Sequence, residues 1–106
     1  MVKRGDVWLV SLDPTVGSEI RKSRPCVVLS PPELHDHLKT VIIAPMTSQG
    51  FNAPFRVPLK FQGTPGLLVL DQIRSVDKLR LVKKLGTVHA TTLKNALQTL
   101  QKMFEA

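Results

Sequence analysis

The sequence predicts an α+β, mainly β domain: a small, partly open barrel with one C-terminal helix packed on it. Three observations lead there. Short apolar runs recur along the chain, several alternating with period two. Eight prolines and six glycines punctuate those runs. Only the final stretch changes to helical spacing. A two-layer α+β sandwich of the same elements is the alternative architecture.

The elements follow in order. Val7–Leu12 reads as a first strand, with Val7 and Leu9 on one face and Trp8, Val10 and Leu12 on the other. Asp13–Glu19 is a loop, since Asp13-Pro14 and Gly17-Ser18 favour turns. A second strand, Arg24–Ser30, stops at Pro31-Pro32, and Pro32–His37 makes one helical turn. The third strand covers Lys39–Pro45, and residues 50–54 form a loop feeding a short strand, Phe55–Leu59. Gln62–Gly66 is the next turn, after which an apolar strand runs from Leu67 to Asp71 and on toward Val76. Asp77 caps a single turn at Lys78–Arg80, and a brief strand lies near Val82. Finally, Leu93, Ala96, Leu97, Leu100, Met103 and Phe104 share one helix face, opposite Lys94, Asn95, Gln98, Gln101 and Lys102.

Composition narrows the function. At 106 residues there is room for one core, so residues 1–106 are read as one domain. Lys and Arg outnumber Asp and Glu by 15 to 8, and the resulting net charge of +7 favours polyanionic partners through counterion release. A single cysteine, Cys26, excludes an internal disulfide and a cysteine-rich zinc site; within an apolar run it reads as a buried structural thiol. The amino terminus is charged and enters a strand at once, and no apolar stretch approaches the ~18–20 residues of a membrane span. A cytosolic protein without membrane contact is expected.

No metal or cofactor is expected. His35 and His37 bracket Asp36 at a spacing that does not share a helix face, and the segment reads as a solvated polar loop. Neither a Gly-rich phosphate loop nor a Ser-His-Asp arrangement is present. What stands out is a pair of polar clusters at the ends of buried-looking runs. Arg24-Pro25 precedes Cys26–Leu29, and Thr47-Ser48-Gln49 follows Val41–Ala44. Groups at strand ends are held rigidly. Arg24 offers a permanently charged planar fork suited to phosphate oxygens, and it is a poor proton acceptor. Thr47 and Ser48 add hydroxyl donors, and Gln49 an amide able to read a base edge. On residue type alone, these are equally readable as ordinary turn residues.

Four motifs occur in register: Asp13-Pro14-Thr15-x-Gly17-Ser18-Glu19, Arg24-Pro25-x-Val27-Val28-Leu29, Pro45-x-Thr47-x-Gln49, and Asp71-Gln72-x-Arg74-Ser75-x-Asp77. Together they resemble the MazF/PemK/Kid family of toxin endoribonucleases over essentially the whole chain. The resemblance implies an SH3-like barrel of the CcdB/PemK type, a homodimer, and single-stranded RNA bound in a groove at the dimer interface. It implies metal-independent cleavage by 2′-hydroxyl transphosphorylation, with Arg24 and Thr47 as the catalytic pair. RNA contacts fall to Ser18, Glu19 and Lys22 in a loop beside the site, and to Ser48, Gln49, Asp71, Gln72 and Arg74. A cognate MazE/PemI-like antitoxin would dock an acidic C-terminal tail in the same groove, with DNA met only indirectly through that antitoxin. The chain departs from many relatives at Ile20–Ser23, which is more basic and lacks their glycine. Some members carry histidine where Ser18 stands, so no histidine-based proton transfer carries over. Asp71 and Glu19 are the carboxylates near the site, each better suited to accept from a base edge.

Two other readings compete. A gyrase-poisoning toxin of the same fold needs no phosphate-facing Arg and Thr. A basic RNA-binding module would display stacking aromatics, whereas this chain has no Tyr, one Trp and four Phe.

Overall fold

The strand pattern becomes a seven-stranded antiparallel sheet in the computed structural model, which describes residues 1–50 and 52–106. The strands are β1 (Asp6–Ser11), β2 (Ser23–Val28), β3 (Thr40–Thr47), β4 (Arg56–Phe61), β5 (Thr64–Val69), β6 (Arg74–Asp77) and β7 (Leu81–Thr87). A one-turn helix, α1 (Pro32–His35), separates β2 from β3, and α2 (Ala90–Met103) closes the chain. Strand order is β4-β5-β3-β2-β1-β7, with β6 also paired to β3. Two register shifts in the β1–β7 ladder bend the sheet. Its curl brings the Gln62 amide within 3.0 Å of the Leu85 carbonyl, joining the β4–β5 hairpin to β7.

Alternation along the central strands builds a core on each face. Val7, Val27, Ala44, Met46 and Leu68 bury one face, under Ala96, Leu93, Leu97 and Leu100 of α2. Val10, Leu12, Cys26, Val28, Val41 and Ile43 bury the other, with Val76 and the partly covered Trp8. The helix packs as its apolar stripe requires, except that Phe104 lies past the last turn and is 71% exposed.

Several boundaries differ from the sequence reading. The turn after β4 is only Gln62-Gly63, because Phe61 pairs with Thr64; both turn residues have positive φ (50° and 81°), the requirement of a two-residue hairpin loop. Pro65 is tolerated inside β5 because β3 pairs only with its Leu67 and Leu68. The apolar stretch after Leu67 is not one strand. Met46 opposes Leu68, while Ile43 opposes Arg74, so two residues of β3 (Ala44 and Pro45) face five of the later segment, Val69–Ile73. The excess is thrown out as a 3₁₀ turn, Leu70–Gln72. β7 is a full seven-residue strand, disguised in sequence by its exposed Lys83-Lys84. Lys84 is not merely solvated: its Nζ lies 3.4 Å from Asp6, a carboxylate only 1% exposed.

His35 is a further correction, being fully buried rather than in a solvated loop. The Val2 carbonyl can only accept, so His35 Nε2 carries the proton toward it at 3.0 Å. Nδ1 then accepts from Ser30 Oγ at 3.0 Å, and Ser30 Oγ accepts from Ile42 N–H at 3.2 Å. This relay ties the amino terminus and α1 to β3.

Cys26 is buried as expected, and desolvation pushes its thiol from 9.0 to about 12, against an opposing pull from Arg74. The unfolded chain therefore releases this proton near pH 9.0, while the folded one holds it to about pH 12. Stability should fall through that window as pH rises. Chemical denaturation of wild type and Cys26→Ala at pH 8 and above should show a steeper decline for wild type.

Candidate active site

The β2–β3 ladder pairs Cys26 with Pro45, Val27 with Ala44 and Val28 with Ile43. Arg24 lies two residues before Cys26, and Thr47 two residues after Pro45. Both border one open cavity of about 270 Å³, together with Pro25, Ser48, Met46, Leu59, Phe61, Gly66 and Leu85. The two clusters read from sequence as separate strand ends thus converge on one surface.

Local hydrogen bonds orient both groups. Arg24 is exposed, and its Nε donates to the Arg21 carbonyl at 3.2 Å. Thr47 Oγ1 donates to the Gln49 carbonyl at 2.6 Å and accepts from Gln49 N–H at 3.1 Å, which closes a tight turn over Ser48. Gly66 supports this turn by having no side chain. A Cβ there would lie 2.6 Å from the Thr47 carbonyl oxygen, inside van der Waals contact.

Four of the other predicted residues lie together in a second hollow. Glu19, Asp71, Gln72 and Arg74 line a second cavity of about 400 Å³ with Leu12, Ile20, Pro45 and Ile73. Asp71 and Gln72 reach it because they ride the thrown-out 3₁₀ turn. Asp71 forms a two-point pair with Arg56, at 3.1 Å for both contacts. Hydrogen bonding in this pair raises the Arg56 guanidinium above its ordinary pKa. Arg74 Nη1 donates to the Leu12 carbonyl at 3.1 Å. Glu19 accepts from Val16 N–H at 2.6 Å, inside its own loop. Ser18, Lys22 and Gln49 line neither cavity, though the Ser18 carbonyl accepts from Gln72 at 3.4 Å.

Two contributors had no sequence signal. Arg56 pairs with Asp71 across fifteen residues. Arg80 Nη1 donates to the Ser11 and Asp13 carbonyls at 3.1 and 2.6 Å, bracing the root of the loop that carries Ser18–Lys22. Among the described residues, no group of three or more His, Cys, Asp or Glu could hold a metal ion, and no helix is long and apolar enough to cross a membrane.

A fork-shaped cation and an alcohol sharing the rim of an open cleft can grip a phosphodiester from two sides. The carboxylates and the amide of the second cavity offer partners for base edges. Known proteins resemble the chain along most of its length. A family model described as "PemK-like, MazF-like toxin of type II toxin-antitoxin system" matches residues 3–104. Endoribonuclease PemK of Escherichia coli is 36% identical over 105 residues, covering 93% of this chain and 79% of that one. The crystal structure of MazF (Form-I) from Deinococcus radiodurans superposes with a TM-score of 0.87 at 26% identity, over 99% of this chain and 97% of that one. A MazE-MazF crystal structure (Form-III) from the same organism gives 0.80 at 26% identity, over 96% and 94%.

Proposed function

The chain belongs to the PemK-like, MazF-like toxin family of type II toxin–antitoxin systems and is an endoribonuclease of that kind; on this premise we propose that it cuts single-stranded RNA without a metal, at a phosphate held between Arg24 and Thr47. The observation that supports the reading is that both residues line one open cavity.

The 2′-oxygen attacks the adjacent phosphorus, forming the O2′–P bond as the P–O5′ bond breaks. The products are a 2′,3′-cyclic phosphate and a 5′-hydroxyl. Charge grows on the non-bridging oxygens during this step, and the Arg24 fork stabilises it there. The Thr47 hydroxyl, already oriented by its Gln49 turn, turns its hydrogen from the Gln49 carbonyl to a phosphate oxygen. Water takes the 2′-proton and returns one to the leaving oxygen. Glu19 and Asp71 are engaged by Val16 and Arg56 and lie along the second cavity, which favours substrate contact over proton abstraction.

Ser48, Gln49, Ser18, Lys22 and Arg74 extend the RNA path, and a homodimer would lengthen it across two copies. An antitoxin's acidic tail would be drawn to the same groove by the +7 charge. The test is incubation of purified protein with a mixed RNA pool in excess chelator, with ends mapped by primer extension. Discrete cuts at a shared short sequence are expected. RNA left intact would contradict the proposal and favour a toxin that acts by protein contact.

Gly66 gives a finer check. Gly66→Ala drives a methyl against the Thr47 carbonyl, and a shift near 1 Å at a reacting group costs ~10²-fold in rate. Cleavage should drop by about that factor, while circular dichroism remains native-like.

A further inference from the structure

The loop between β1 and β2 does more than border the groove, because its Arg21 carbonyl accepts from Arg24 Nε at 3.2 Å. Arg24 is therefore oriented by a loop carbonyl, and its orientation is only as firm as the loop. The neighbouring residue, Ile20, is anchored from a distant part of the chain. Its N–H donates to Gln72 Oε1 at 2.7 Å, across 52 residues of sequence. The Gln72 amide nitrogen donates back to the Ser18 carbonyl at 3.4 Å. One side chain thus clamps the loop at two points, from the turn thrown out between β5 and β6.

We infer that Gln72 is a positioning residue for Arg24, holding Ile20 so that the Arg21 carbonyl fixes the guanidinium against the scissile phosphate. The inference rests on the nuclease reading and deepens it. With Ile20 on its amide oxygen and Ser18 on its amide nitrogen, Gln72 serves the site through the loop. The shorter contact requires only an acceptor. Glutamate supplies one, whereas methionine keeps the length and removes the polar atoms.

The test compares wild type, Gln72→Glu and Gln72→Met on an RNA oligonucleotide with one cut site, under single-turnover conditions and with excess chelator. Trypsin cleavage after Arg21 and Lys22 is followed separately, without RNA. Gln72→Met should cut ~10- to 100-fold more slowly at an unchanged sequence, as expected for a misplaced reacting group. Its loop should be nicked about tenfold faster, since proteolysis follows local opening. Gln72→Glu should recover most of the lost rate and resist trypsin like wild type. Equal cutting by Gln72→Met, faster nicking without slower cutting, a glutamate variant as impaired as methionine, or a changed cut sequence would each overturn the assignment. Wild type that cuts no RNA would instead sink the nuclease reading. The trypsin comparison would still decide whether Gln72 holds the loop, with unchanged nicking counting against it.

Discussion

Arg24→Ala should lower RNA cleavage by at least ~10³-fold, the loss associated with one preorganised donor to developing charge. The side chain is exposed at the mouth of the cavity, and its Nε contact is with a loop carbonyl, so the core does not depend on it. Thermal unfolding of the variant should match wild type. Arg24→Lys retains a positive charge but loses the two-pronged donor geometry, so it should recover only part of the rate. Cutting by Arg24→Ala within tenfold of wild type would remove the guanidinium from the mechanism.

The second large effect is expected at Thr47. Thr47→Val keeps the β-branched shape but removes the hydroxyl that both donates to and accepts from Gln49. The phosphate loses a donor and the turn over Ser48 loses its tie, so cleavage should fall by about 10²- to 10³-fold. Thr47→Ser keeps the oxygen and should restore most activity. RNA affinity, followed by filter binding with a non-cleavable 2′-deoxy strand, should change little in both variants. Contacts from the remaining lysines and arginines are largely independent of this alcohol. A valine variant that cuts normally would leave Thr47 a turn residue only.

The parts of this site visible in the sequence are those written into local pattern. Arg24 and Thr47 flank runs whose apolar character marks buried strands, and both line one cavity. The α2 stripe and the Asp77 cap over Leu79 were legible for the same reason. Long-range placement was not. Leu67–Leu70, Ile73 and Val76 read as one strand, and only the mismatch of two residues of β3 against five reveals the turn that exposes Asp71 and Gln72. Asp71 pairs with Arg56 because that turn carries it to the start of β4. His35 looked solvated beside Asp36 and His37, yet Val2 and Ser30 satisfy both ring nitrogens from other segments. Lys84 pairs with Asp6, which β1 buries beneath it and which lies far away in the chain. In each case the missing information was a partner remote in sequence, which no local window contains.

The most direct test of the central claim uses two RNA oligonucleotides with the same mapped cut site, in excess chelator. They differ only in the 2′-hydroxyl of the nucleotide before the scissile phosphate. The all-ribose strand should be cut to a 2′,3′-cyclic phosphate end, and the strand with a single deoxynucleotide there should bind yet stay whole. Cleavage of the deoxy-substituted strand at that phosphate would contradict attack by the neighbouring hydroxyl, and with it the roles given to Arg24 and Thr47.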